Sequence, residues 1–242
     1  AECYAVAWGR FIRTQSDRRK KRGINSMLLS GLDLLQYDPF AWLIHLLSAV
    51  TGLVIGITIH EGSHAASAFM LGDKTAKHHG RLTLNPLRHL DPIGSIMILL
   101  VGFGWGKPTP VNEFNLSGGR RSSSVVALAG PSSNILLAFL LGLPIRLAII
   151  SNLSISFDFF VWIIWINVAL GIFNMLPIPP LDGFRFVLGI SPTSFLPVLV
   201  KVERYGPIAL LGLFGLNFIG IPIFSSLLYP PLFFFVRMIG LE

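Results

Sequence analysis

Residues 40–64 read FAWLIHLLSAVTGLVIGITIHEGSH, and the last five, His60-Glu61-Gly62-Ser63-His64, decide how the rest of the chain is read. Residues i and i+4 share one face of a helix, so His60 and His64 can grip a single metal ion while Glu61 stands beside its open position. The twenty residues before them contain no Asp, Glu, Lys or Arg, and that is enough apolar length for a helix to cross a bilayer. The metal-binding pattern therefore lies inside a membrane helix. Two polar residues satisfied in an apolar core would be the plainer reading. It is disfavoured because an ionisable residue at membrane depth costs about 2.5 to 3.5 kcal/mol on insertion scales and normally marks function.

The composition agrees. Hydrophobic residues make up 52% of the chain and charged ones 13%, and the mean hydropathy is +0.68, all outside the profile of a soluble domain. An all-α polytopic membrane protein is expected, with about five or six membrane segments, some broken or re-entrant. Charge-free stretches at 122–145, 159–181, 186–200 and 205–236 mark the later segments, with a shorter one at 92–106. Residues 40–242 then form one integral-membrane domain. Residues 1–39 form a basic tail, in which 24–36 is too short and polar to span and reads as an interfacial helix.

Of the net charge of +7, residues 1–22 hold +5, seven Lys or Arg against Glu2 and Asp17. Beside a membrane span, anionic lipid headgroups are the expected partner of such a tail, and nucleic acid is not. The single cysteine, Cys3, excludes a disulfide within the chain and a thiolate zinc site. After the HExxH helix come Lys74, Lys77, Arg81 and Arg88, whereas 151–156 has no Lys or Arg. The first of these loops is therefore expected in the cytoplasm, placing the metal site nearer that face of what is expected to be the cell membrane.

Catalytic zinc takes three protein ligands and leaves a fourth position for water. His45, His78, His79 and His89 are poorly placed to be the third. Asp182 is the better candidate, because Pro177, Pro179 and Pro180 just before it forbid a continuous helix. The backbone must break near membrane depth, buried against protein or water, and the break aims a side chain inward. An Asp that closes a long charge-free stretch calls for a cation there.

Taken together, His60-Glu61-x-x-His64 in a membrane helix and Asn174-x-x-Pro177 through Leu181-Asp182-Gly183 resemble the site-2 protease family of intramembrane zinc metalloproteases. Gly80 to Pro86, Asp91 to Gly94, Gly104 to Asn112 and Ala129 to Asn134 are similar to its small bacterial members, so the resemblance covers about residues 40–190. It implies one Zn2+ held by His60, His64 and Asp182, with Glu61 as general base, and it suggests Asn134 and Asn174 as polar contacts to substrate, an interhelical hydrogen bond being the competing reading for Asn134 in a span whose small residues permit close packing. It also implies a member without a PDZ insert or a regulatory domain. The substrate implied is a single-span membrane protein in the bilayer, cut by zinc-activated water within or near its span.

A helical peptide bond must be unwound before it can be cut, and a strand edge can supply substitute hydrogen bonds. Arg81-Leu82-Thr83-Leu84-Asn85 alternates polar and apolar before Pro86. It is the candidate strand of a short β-hairpin after the zinc helix, with Leu82 and Leu84 as substrate-binding residues. An ordinary surface loop is the competing reading. Two rival functions remain: a membrane zinc protease acting on soluble or lipidated peptides in an enclosed chamber, and a non-enzymatic divalent-metal transporter. The first would usually offer Glu as third ligand; the second would need polar stations through the bilayer rather than at one level.

Overall fold

The computed structural model describes residues 35–36, 38–101, 105–150, 155–218, 221 and 223–239. Residues 1–34, which hold the basic tail and most of the stretch expected to be an interfacial helix, lie outside them, as does 151–154. The first long helix, α1 (Pro39–Met70), starts where Asp38 Oδ1 accepts the Ala41 N–H at 2.9 Å and Pro39 occupies the first helical position. After a one-turn helix, α2 (Thr75–His78), come α3 (Pro92–Val101), α4 (Gly119–Arg146), α5 (Ile155–Asn174), α6 (Asp182–Ile190), α7 (Leu196–Phe218) and α8 (Ile223–Ile239).

Among the described residues, three helices are long and apolar enough to cross a membrane: α1, α4 and the 157–174 portion of α5. These three pack on one another, α6 lies against α4, and α8 lies against α5. The side of α1 that faces the others is built from Ser48, Ala49, Gly52, Gly56, Ala65 and Ala68, all buried. Small residues let backbones approach closely where apolar burial gives helices no preference over lipid. A second cluster, Ala138, Ile164, Val168, Ile172 and Leu232, ties α4, α5 and α8 together.

The stretch 186–200 is not one continuous helix, in keeping with the expectation that some segments are broken: α6 ends at Ile190, Ser191 and Pro192 turn the chain, and α7 begins at Leu196. Pro192 has no N–H to continue a helix and biases Ser191 to an extended backbone, seen at ψ 144°. Nor does Arg81–Asn85 form a strand, and among the described residues the chain makes only an isolated antiparallel bridge, Leu90 with Gly106. The Thr83 N–H bonds back to Arg81 O at 3.0 Å, and Thr83 O accepts from His89 Nε2 at 2.8 Å, so local bonds use the groups that a ladder would need.

Beyond α1 the loops are tied to its end by Asp73. This fully buried carboxylate accepts from the Thr75 N–H at 2.9 Å, Thr75 Oγ1 at 2.5 Å, the Asn112 N–H at 2.7 Å and Asn115 Nδ2 at 3.1 Å. Burial would raise its pKa, but these bonds outweigh burial and hold it below the usual carboxylate range. The loop 105–115 is thereby fixed over the last turns of α1.

Candidate metal centre

Helical periodicity puts His60 and His64 on the buried side of α1, each no more than 7% exposed. Asp182 reaches them from the first position of α6, where an acidic side chain is favoured by the helix dipole. The prolines do what their positions suggest: α5 stops at Asn174, residues 175–181 turn, and α6 restarts at Asp182. Asp182 Oδ2 lies 2.9 Å from His60 Nε2 and 3.2 Å from His64 Nε2, and the two Nε2 atoms are 3.1 Å apart. These three residues are the one group of three or more His, Cys, Asp or Glu among the described residues that could hold a metal ion.

The outer nitrogen of each ring shows where its proton sits. His64 Nδ1 is 2.7 Å from Val126 O, a carbonyl that can only accept, so Nδ1 carries the proton. His60 Nδ1 is 2.6 Å from Asn134 Oδ1. The Asn134 amide is oriented by its own nitrogen, which donates to Gly56 O at 3.0 Å, so its oxygen must face the ring. Both Nε2 lone pairs then converge on the Asp182 carboxylate oxygen, and three buried electron-rich atoms call for a cation.

The donor set of two imidazoles and a carboxylate suits zinc, whose tetrahedral ligands at ~2.1 Å lie about 3.4 Å from one another. The observed separations, 2.9 to 3.2 Å, admit the ion after outward shifts of a few tenths of an ångström. The floor of the site is Gly130 of α4. A Cβ there would meet His64 Nε2 and lie 2.7 Å from His64 Cε1 and 2.8 Å from His60 Cε1.

Glu61, half-buried, points to the loop rather than the ligand set. Its Oε2 accepts the Thr109 N–H at 2.8 Å, and Thr109 Oγ1 donates to Glu61 O at 3.1 Å. Arg81, only 5% exposed, donates from Nη2 to Lys107 O and so braces the same loop. Burial lowers the pKa of its guanidinium, and the nearby Glu61 charge opposes that shift. Thr109, Arg81 and Gly130 were not candidate site residues from the sequence. All three sit within stretches already marked by resemblance, but nothing in the composition distinguishes the buried Arg81 from its solvated neighbours.

The remaining sequence candidates separate. Asn134 is fully buried and turned onto His60. Asn174 donates its amide to Leu170 O at 2.9 Å at the end of α5. Leu82 and Leu84 are exposed, and the loop that carries them lies beside the zinc helix, Leu84 Cδ2 being 3.6 Å from where a Gly62 Cβ would be. His78 and His79 are exposed in the loop after α1 and take no part in the group.

Comparison with known proteins agrees with this geometry. Residues 141–205, which hold the Asn174–Gly183 break, match the model of "Peptidase family M50". The chain is 39% identical over 211 residues to "Putative zinc metalloprotease YwhC" of Bacillus subtilis, covering 83% of this chain and 91% of that protein. It is 30% identical over 152 residues to "Putative zinc metalloprotease Rip2" of Mycolicibacterium smegmatis, covering 60% of this chain and 58% of that one. No solved structure matches significantly.

Proposed function

Because the chain belongs to peptidase family M50 and is a zinc metalloendopeptidase of the membrane, we propose that it cuts a single-span membrane protein within or near its transmembrane segment. The observation that carries this reading is the placement of His60 and His64 inside α1, buried among membrane-length helices. A bond brought to them must come to that depth. At 1.5 Å per residue the two histidines are about 9 to 15 Å from the C-terminal end of α1.

Zinc, when bound, polarises the scissile carbonyl and makes water a nucleophile near neutral pH. His60, His64 and Asp182 would hold it, and the carbonyl of Val126 and the amide of Asn134 keep the two rings aimed. Glu61 is the general base. With Oε2 engaged by Thr109, its Oε1 takes the proton of the attacking water and delivers it to the leaving amine. The Thr109 contact holds the carboxylate toward the loop, so taking that proton requires the side chain to turn from there to the ligand set.

Substrate helicity tests the substrate class. In proteoliposomes, Gly or Pro placed in a single-span substrate should raise the cleavage rate several-fold, and a run of Leu should lower it, because unwinding precedes attack. A preference for soluble unfolded peptides over every membrane substrate would move the chamber protease ahead.

The loop after α1 exposes Lys74, Lys77 and Arg88, which supports a cytoplasmic position for it and for the nearer metal site, in the cell membrane. The basic segment 1–22 suits anionic headgroups on the membrane surface. In a Cys3→Ser background, a cysteine at Lys77 should label from the cytoplasmic side and one at Asn152 from the other. The reverse pattern would overturn this topology.

A further inference from the structure

We propose that Asn167 is a positioning residue for the metal centre: from α5 it holds the Asn134 amide in the one orientation that keeps the His60 proton on Nδ1 and the Nε2 lone pair on the ligand set. This rests on the reading of His60 as a zinc ligand. Asn167 is fully buried in a span that is otherwise almost wholly apolar at that level. A polar residue so placed is costly unless every hydrogen-bonding group is used.

The orientation follows from what each partner can do. Asn167 Nδ2 donates to Ile163 O at 2.8 Å, with Gly52 O at 3.5 Å, and both are carbonyls that only accept. Its NH2 must face them, which leaves Oδ1 to accept from Asn134 Nδ2 at 3.1 Å. Asn134 then spends its two N–H groups on Gly56 O and Asn167 Oδ1. Only its oxygen remains for His60.

A flipped Asn134 would set its oxygen against two acceptors and turn its NH2 toward the ring. The His60 proton would move to Nε2 and block the lone pair that a metal needs. Without Asn167 one of those two opposing acceptors is gone, and the amide is held by Gly56 O alone. The close approach of the helices makes the relay reachable, since a Cβ on Gly56 would lie 2.9 Å from Asn167 Oδ1. Three helices thus meet in one chain of bonds, α5 to α4 to α1.

Asn167→Leu, nearly the same shape, should weaken zinc binding about tenfold, measured on the full chain in micelles by competition with a chromophoric chelator. Nitrogen NMR of the metal-free, histidine-labelled protein should show His60 changing from a single Nδ1–H form to a mixture. Asn167→Asp separates positioning from packing: a neutral carboxyl can donate to Ile163 O and still accept from Asn134, so zinc affinity should stay within about twofold of wild type. Unchanged affinity and tautomer in Asn167→Leu overturn the proposal. Equal loss in the Leu and Asp variants also overturns it. Where the Leu variant does not fold, Asn167→Ala gives the same comparison. A His60→Ala protein that binds zinc as the wild type does would strike the ligand reading itself, whatever Asn167 does.

Discussion

Glu61→Gln should lower the turnover number by about 100- to 10,000-fold, the range for removing a positioned general base, with zinc bound at the wild-type ratio. Gln keeps the length of the side chain and an oxygen that can still accept the Thr109 N–H, so the loop over α1 should stay in place. What it loses is the ability to take a proton. The measurement pairs cleavage of a membrane substrate in proteoliposomes with metal analysis of the same preparation. Loss of zinc together with activity would make Glu61 part of the metal site, and retained turnover would move the base elsewhere.

Gly130→Ala should remove zinc binding, with affinity falling roughly 100-fold, the upper end for groups that set ligand orientation. A helix interior prefers Ala to Gly by about 1 kcal/mol, so α4 by itself would gain from the change. The added Cβ, however, would lie 2.8 Å from His60 Cε1 and 2.7 Å from His64 Cε1 while meeting His64 Nε2. Both rings would have to swing away from Asp182. A thermal unfolding temperature equal to or above wild type, with zinc absent from the purified protein, is the expected pair of results. Full zinc content in Gly130→Ala would show that α4 does not form the floor of the site.

The parts of the site that were legible in the sequence are those where a pattern and a physical prohibition coincide. The i, i+4 spacing at the end of the charge-free run from residue 40 reads as one membrane helix, and the helix runs Pro39–Met70. Three prolines before Asp182 forced the break that brings its carboxylate to the histidines. Elsewhere the pattern was too short to decide. Alternation over Arg81–Asn85 fits a strand as well as a bend, and the turn bond from Thr83 to Arg81 settled it locally. Asn134 reads equally as a substrate contact or an interhelical hydrogen bond, because an amide in a span has no address until its partners are known. Asn167 carried the same signal, a lone polar side chain in an apolar helix, and only the packing of three helices gave it meaning.

The two histidines are aimed by different kinds of partner, and this bears on how the site tolerates mutation. His60 leans on an amide side chain at position 134, which a single base change in the gene can erase. His64 leans on the main-chain oxygen of residue 126, and any amino acid at 126 supplies the same oxygen. A scan that replaces side chains along α4 will therefore find half of the aiming apparatus and pass over the other half. Val126 is itself buried in a small apolar cluster with Ala68 and Leu116, so a substitution there would act through packing and backbone displacement and not through loss of the oxygen that aims His64.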